Sequence, residues 1–452
     1  MRSGRIMIAA VKSGSGKTLI TSAIMRLLND SGKKVAPFKC GPDYIDPMYH
    51  RIALGHGVFA MDTDGDIAPG GNLDTYFTPD EVTVSLLREG MGTDSDIAVI
   101  EGVMGLYDGV GGISPVGSSY DLARAIQAPI ILTVDAKGMG ASLAALIKGF
   151  LDYDEYGLIK GVILNRISGM YYEKIRSFLE EETGIRLLGY VPEDESLHID
   201  SRHLGLVVPD ECKVSGVIDN ACRIMRDTVD VKDIMDIAYE AGSINASDTH
   251  PGSDGVNKLF GADKKKVAIA MDEAFCFYYR ENLRMLKAAG YELVPFSPIH
   301  DKGLLHGADV VLLGGGYPEL HLEELSDNLT MTESIRQAYE SGVKIIAECG
   351  GFMYLHETVE DMDAKKYDMT GILPGNCYWT GRLKRFGYCE TVRQADALIF
   401  KGHEFHYFES TDPGEALILK KPGTGRTYPA MHITDRLFAG FIHLYYPSLC
   451  VL

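Results

Sequence analysis

Ile6-Met7-Ile8-Ala9-Ala10-Val11-Lys12-Ser13-Gly14-Ser15-Gly16-Lys17-Thr18 decides the fold of the first half of the chain. An apolar run of strand length ends in a Gly/Ser turn, and the amphipathic stretch Thr18–Ser31 follows. Glycines at that turn let backbone N–H groups converge on phosphate oxygens. The start of the helix adds positive potential, the lysine meets the outer phosphates and the threonine hydroxyl reaches magnesium. Gly14, Ser15, Gly16, Lys17 and Thr18 are therefore the expected nucleotide contacts. An ordinary Gly/Ser turn would not need Lys-Thr at the helix start.

Around this loop the strand-and-helix rhythm continues. Val35–Lys39, Ile97–Glu101, Ile130–Asp135 and Gly161–Asn165 read as buried strands, separated by helical stretches such as Gly140–Leu151. Continuous apolar strands alternating with helices predict a parallel sheet covered on both faces, with its ligand at the carboxyl ends of the strands. Two acidic segments follow such ends: Gly41-Pro42-Asp43-Tyr44-Ile45-Asp46-Pro47 and Glu101-Gly102-Val103-Met104-Gly105-Leu106-Tyr107-Asp108-Gly109. Carboxylates placed there hold magnesium or position a nucleophile.

The second half repeats the rhythm with Val267–Met271, Glu292–Phe296, Val310–Leu313, Val343–Ala347 and Ala439–His443. Ala347-Glu348-Cys349-Gly350-Gly351 places a cysteine on a strand-to-helix elbow, where small residues permit the tight turn that exposes a nucleophile. His443 is the expected base, and the N–H groups of Gly315, Gly316 and Gly350 the expected oxyanion donors. His403, His406 and His432 read as structural or substrate-contacting.

With 452 residues the chain is too long for one ordinary core. The polar, turn-rich run Asn245–Gly255 divides it into an ATP-dependent domain at 1–243, a linker at 244–266 and a second domain at 267–452. The formal net charge of −19 argues against nucleic acid. Eight cysteines without a paired spacing read as free thiols in a reducing cytoplasm. No apolar run approaches a bilayer span, so no membrane partner is expected.

Lys39–Pro47, Glu101–Gly109, Ser201–Leu206, Gly314-Gly315-Gly316-Tyr317-Pro318-Glu319, Ala347–Gly351 and Gly402-His403-Glu404-Phe405-His406-Tyr407 together resemble the signature stretches of the cobyrinic acid a,c-diamide synthase family. They do so in order and along essentially the whole chain. The loop, read from Lys12 as K-x-G-x-G-K-T, is also similar to the deviant loop of partition and septum-site ATPases. The resemblance implies an α/β protein: a P-loop, dethiobiotin-synthetase-like ATP domain followed by a class I-type glutamine amidotransferase domain. It implies a ligase that uses ATP, Mg2+ and L-glutamine to amidate the a and c acetates of cobyrinate through an acyl phosphate. It puts Thr18, Asp43 and Glu101 near the metal, and Asp43, Glu101 and Asp108 around the reacting carboxylate. Tyr44 and Ile45 would meet the macrocycle, and Asn165 and Pro192 the adenine. The acid that usually stands two residues after the histidine is replaced by Tyr445, so the resemblance implies a Cys349–His443 dyad. Hydrogenobyrinate and Ni-sirohydrochlorin are the alternative macrocycles, a homodimer is a candidate assembly, and a partition-type ATPase switch is the rival from another class.

Overall fold

The computed structural model describes residues 4–62, 64–198, 209–242, 252–304, 307–392 and 398–451. The Ser201–Leu206 stretch and most of the polar run at 244–251 lie outside the described residues.

The chain forms two compact units, Met1–Val58 with Pro69–His250, and Phe59–Ala68 with Pro251–Leu452. The first is built on a seven-stranded sheet of β1 (Gly4–Ala10), β2 (Val35–Cys40), β3 (Gly71–Leu73), β4 (Ile97–Glu101), β5 (Ile130–Asp135), β6 (Ile159–Asn165) and β7 (Leu187–Val191). Their order is β3-β2-β4-β1-β5-β6-β7, and every pairing is parallel. The central strands β1 and β4 are buried along their length, as strands covered on both faces must be. The short β3 carries too few apolar residues to stand out in sequence, and the apolar run of β7 is interrupted by Gly189.

In the second unit, β8 (Lys266–Ala270), β9 (Glu292–Phe296), β10 (Val310–Leu313) and β11 (Lys344–Glu348) build a further parallel core. Then come β12 (His356–Glu360), β13 (Lys366–Asp368), β14 (Leu373–Trp379), β15 (Arg385–Thr391), β16 (Leu398–Ile399), β17 (Lys401–His406), β18 (Phe408–Ser410), β19 (Leu417–Lys420), β20 (Thr427–Ala430), β21 (His432–Ile433), β22 (Leu437–Gly440), β23 (His443–Leu444) and β24 (Cys450–Val451). The core sheet runs β21-β22-β11-β10-β8-β9. The expected strand Ala439–His443 is in fact two. β22 ends at Gly440 in the core sheet, and β23 pairs with β17 in a separate antiparallel sheet of order β20-β19-β15-β17-β23. The apolar run Phe441-Ile442 is continuous in sequence but spans a change of sheet, which periodicity does not register. Among the described residues no helix is long and apolar enough to cross a membrane.

The units are interleaved along the sequence. Ala60 and Met61, which precede β3, are buried in the second unit's core cluster. Arg284 Nη1 reaches the Ala68 carbonyl at 3.5 Å, and Lys287 donates to the Gly65 carbonyl. Within 244–266, Asp254–Phe260 is a helix whose Val256, Leu259 and Phe260 enter that same core. Phe260, with no exposed surface, meets the rings of Tyr291 and Tyr446, each with centroids 5.6 Å away. We expect Phe260→Ala to destabilise the second unit by about 3–5 kcal/mol. Its denaturant midpoint, followed beside that of the unaltered protein, measures the loss.

Candidate active sites

The nucleotide loop lies where the sheet topology puts it, after β1 and between the ends of β4 and β5. Gly16 caps the helix Lys17–Asp30 in a left-handed conformation (φ 86°). Lys17 is buried and donates to the Met104 carbonyl at 2.5 Å. Burial, with the Lys39 charge adding, pushes its ammonium down to about 8. Met104 itself is left-handed (φ 44°), which turns that carbonyl into the loop.

Glu101, the last residue of β4, is the hub of this site. Its Oε1 accepts the Thr18 hydroxyl at 2.7 Å and lies 3.3 Å from Lys39 Nζ. Its Oε2 lies 2.6 Å from His50 Nε2. Lys39 also pairs with Asp46 at 2.7 Å and donates to the Gly102 carbonyl at 2.9 Å. Burial opposes the Lys39 charge, but Asp46 and Glu101 outweigh it and hold the ammonium well above the usual lysine range. A buried charge stays charged only when paired and hydrogen-bonded, and here each has its partner. The sequence reading did not single out Lys39, Asp46 or His50 as site residues. Two signals were there: a lysine closing an apolar strand needs a carboxylate, and Asp46 and His50 stand one helical turn apart on one face.

The other expected residues lie at the carboxyl ends of the same sheet, Asn165 and Pro192 several strands from Glu101. Asp43 Oδ1 accepts the N–H groups of Ile45 and Asp46 at 2.8 and 3.0 Å, so it starts the helix Ile45–Ala53. Tyr44 and Ile45 are largely buried there. Asp108 Oδ2 accepts Gly105 N–H at 3.0 Å and closes the turn after β4. Asn165 donates to the Ser15 carbonyl at 2.9 Å, and Pro192 follows β7, whose Val191 is paired with Asn165. Lys12 lies 3.6 Å from Asp135, which Arg166 also engages at 2.9 Å.

The thiol site lies at the carboxyl end of β11, which runs between β10 and β22. Cys349 has φ 48°, a strained value for a residue with a side chain. Its N–H is held by the Gly440 carbonyl at 2.8 Å, and Gly351 N–H by the Gly314 carbonyl at 2.9 Å. The two glycine loops touch: a Cβ at Gly350 would lie 3.3 Å from Gly316 N, and one at Gly315 would lie 2.2 Å from His443 Cε1. So the elbow, Gly315, Gly316 and His443 come together. Gly314 plays another part, since its N–H donates to the Tyr278 hydroxyl at 2.8 Å.

Electrostatics set the resting state. Burial pushes the Cys349 thiol well above its usual range; the nearby Glu319 carboxylate adds to this and the Gly350 N–H opposes it. Burial, with His406 adding, pushes His443 down to about 3. At neutral pH burial holds both the thiol and the imidazole uncharged, and the same burial opposes transfer of a proton from Cys349 to His443 in the resting site. Glu348, the residue before Cys349, accepts Leu444 N–H at 3.2 Å. Burial nonetheless raises its carboxyl to about 8, against that N–H and the Tyr446 hydroxyl.

Two family models match the chain. Residues 6–207 match the CobQ/CobB/MinD/ParA nucleotide binding domain, and residues 266–448 the CobB/CobQ-like glutamine amidotransferase domain. Proteins named cobyrinate a,c-diamide synthase match nearly end to end. That of Listeria monocytogenes is 36% identical, over 98% of this chain and 96% of the relative. That of Picrophilus torridus is 37% identical, over 99% and 97%. That of Salmonella typhimurium is 36% identical, over 97% and 94%. The chain belongs to the cobyrinate a,c-diamide synthase family. As a member of that family it carries a nucleotide-binding domain and a glutamine amidotransferase domain, each around one of the two sites above.

Glu348 gives a pH test. Its folded pKa, about 8, lies above its ordinary value of 4.5, so the folded state binds the extra proton between the two. This contribution is fully present below pH 4.5 and is lost as pH rises through about 8. We expect Glu348→Gln to remove a fall in stability of the order of a few kcal/mol across that window, seen when denaturant midpoints of both proteins are compared from pH 5 to pH 9.

Proposed function

We propose that this protein is an ATP- and glutamine-dependent ligase that amidates the a and c acetate carboxylates of cobyrinate. One observation carries the reading. A chain that matches cobyrinate a,c-diamide synthases over 98% of its length builds both a phosphate loop with a buried lysine and a cysteine elbow. The rival switch reading has no use for the second of these. Residues 1–243 would act as the synthetase domain and 267–452 as the glutaminase domain, with Asp254–Phe260 counted with the latter. Magnesium, a cytoplasmic location and a homodimeric assembly belong to the same proposal.

In the synthetase, the loop N–H groups of Gly14–Lys17 and the Lys17 ammonium bind the ATP phosphates. A substrate carboxylate oxygen attacks the γ-phosphorus, ADP leaves and an acyl phosphate forms. Ammonia then attacks the acyl carbon and phosphate leaves with the C–O electron pair, giving the amide. Asp43 and Asp108 line the loops at the reacting end, Tyr44 and Ile45 meet the macrocycle, and Asn165 and Pro192 border the adenine. The Thr18 hydroxyl and the Glu101 carboxylate form an oxygen donor pair that fits magnesium, and Asp43 is the third residue proposed for it. Among the described residues no cluster of three or more His, Cys, Asp or Glu side chains makes a full metal cage. ATP oxygens and water would complete the coordination shell. Bound there, the ion would neutralise phosphate charge. His50 and Lys39 hold Glu101 in place.

In the glutaminase, the Cys349 S–H bond breaks, His443 takes the proton and sulfur bonds the glutamine amide carbon. Gly316 and Gly350 N–H groups, with Gly315 beside them, face the oxyanion. His443 returns the proton to the departing nitrogen, and water cleaves the thioester to glutamate. Because the resting thiol is neutral, bound glutamine must draw the proton transfer forward.

Mass spectrometry of the product separates the two halves. We expect Cys349→Ala to abolish glutamine-driven amidation and to keep amidation from ammonium at high pH; equal loss of both would remove Cys349 from ammonia supply. Lys17→Ala should lose synthesis with either nitrogen source, by about a hundredfold or more; full activity would sink the phosphate-loop assignment. Two successive amidations of cobyrinate, rather than of hydrogenobyrinate or Ni-sirohydrochlorin, would fix the macrocycle.

A further inference from the structure

A histidine base needs its ring held in one plane, and in this site the residue two positions on is Tyr445 rather than an acid. A set of buried rings surrounds His443. β23 runs antiparallel to β17 with His403 directly opposite His443. The two imidazoles stack, with centroids 4.8 Å apart and planes at 18°. His403 Nδ1 in turn lies 3.0 Å from the Tyr279 hydroxyl. The Tyr279 ring meets Tyr445 edge-on, with centroids 5.1 Å apart and planes at 89°. All four side chains are buried. Against the edge of the His443 ring stands Gly315, where a Cβ would lie 2.2 Å from Cε1. The imidazole is thus confined by a flat wall on one face and by backbone at one edge.

We propose that His403 is a positioning residue of the thiol centre: fixed by Tyr279, its ring is the wall that holds His443 in the plane that receives the Cys349 proton. Stacking limits rotation about the Cβ–Cγ bond, which is the service a hydrogen-bonded acid performs in a triad. It has a further requirement. Two imidazoles in face contact cannot both carry charge at low cost, so His403 must stay neutral while His443 takes the proton. Its burial favours the neutral ring. In this arrangement Tyr445 serves by packing against Tyr279.

The inference rests on the reading of Cys349 and His443 as a glutaminase. It is tested in the full-length protein with His403→Ala and His403→Phe, the second keeping a flat ring of similar size. Glutamate release gives kcat and KM for glutamine, and ammonium-driven amidation of cobyrinate reports the rest of the enzyme. We expect His403→Ala to lower kcat for glutamine about tenfold to a hundredfold, with KM within about twofold and ammonium-driven synthesis unchanged. His403→Phe should recover kcat to within about threefold of the unaltered protein. An unchanged kcat in His403→Ala, or a rise in KM alone, would overturn the proposal. So would loss of ammonium-driven synthesis in both variants, which would assign His403 to the fold alone. No glutamate release from the unaltered protein would instead sink the glutaminase reading, and this inference with it.

Discussion

Each of the two units ends a central parallel strand in a carboxylate that has almost no contact with water, and the reactive turn begins at the next residue. Glu101 closes β4 and Glu348 closes β11, with 0% and 6% of their surface exposed. Such a group must be satisfied within the protein, and whatever satisfies it is thereby fixed beside the chemistry. Glu101 is met by Thr18, Lys39 and His50, so the phosphate loop, β2 and the helix Ile45–Ala53 all converge on one pair of oxygens. Glu348 receives an N–H from Leu444 and the Tyr446 hydroxyl, both neutral groups. It therefore favours its proton, whereas the charges at Glu101, Lys39 and Asp46 sustain one another.

The same contrast explains why the two centres differ in readiness. The nucleotide site is an assembled cluster of charges at fixed distances, suited to a ligand that arrives highly charged. The thiol site holds its groups neutral and stores strain at Cys349, whose left-handed backbone is clamped by the Gly440 and Gly314 carbonyls through its own N–H and that of Gly351. In the proposed glutaminase, neutrality at rest would protect Cys349 from idle reaction, and the fixed N–H groups would act once negative charge develops on a bound amide.

Much of this was legible in the sequence because it depends on short-range rules. Continuous apolar strands between helices gave the parallel sheets; β1, β4 and β5 lie close to where the apolar runs begin and end. Lys17, Thr18 and Cys349 stand out because the chemistry expected of them needs a turn straight after a strand, and each lies at such a turn. What sequence did not reveal depends on contacts between distant segments. The strands from β12 to β20 are short, mostly antiparallel and only partly buried, and turns break them up, so no long apolar run marks them. The split of Ala439–His443 follows from pairing with β17, forty residues away in the chain. Lys39, His50 and His403 draw their roles from the partners that tertiary structure brings, and each looks ordinary in isolation.

The interleaving of the units constrains how such a protein can be inherited. Ala60 and Met61 lie inside the sequence of the nucleotide-binding unit but fill the core of the other. A recombination event that exchanged everything after residue 251 would leave that core two side chains short, or would pair it with another lineage's Ala60 and Met61. The ten residues from Phe59 to Ala68 therefore have to change in step with a partner encoded some two hundred positions later. Their history should follow that of the glutaminase half rather than that of the sequence on either side of them.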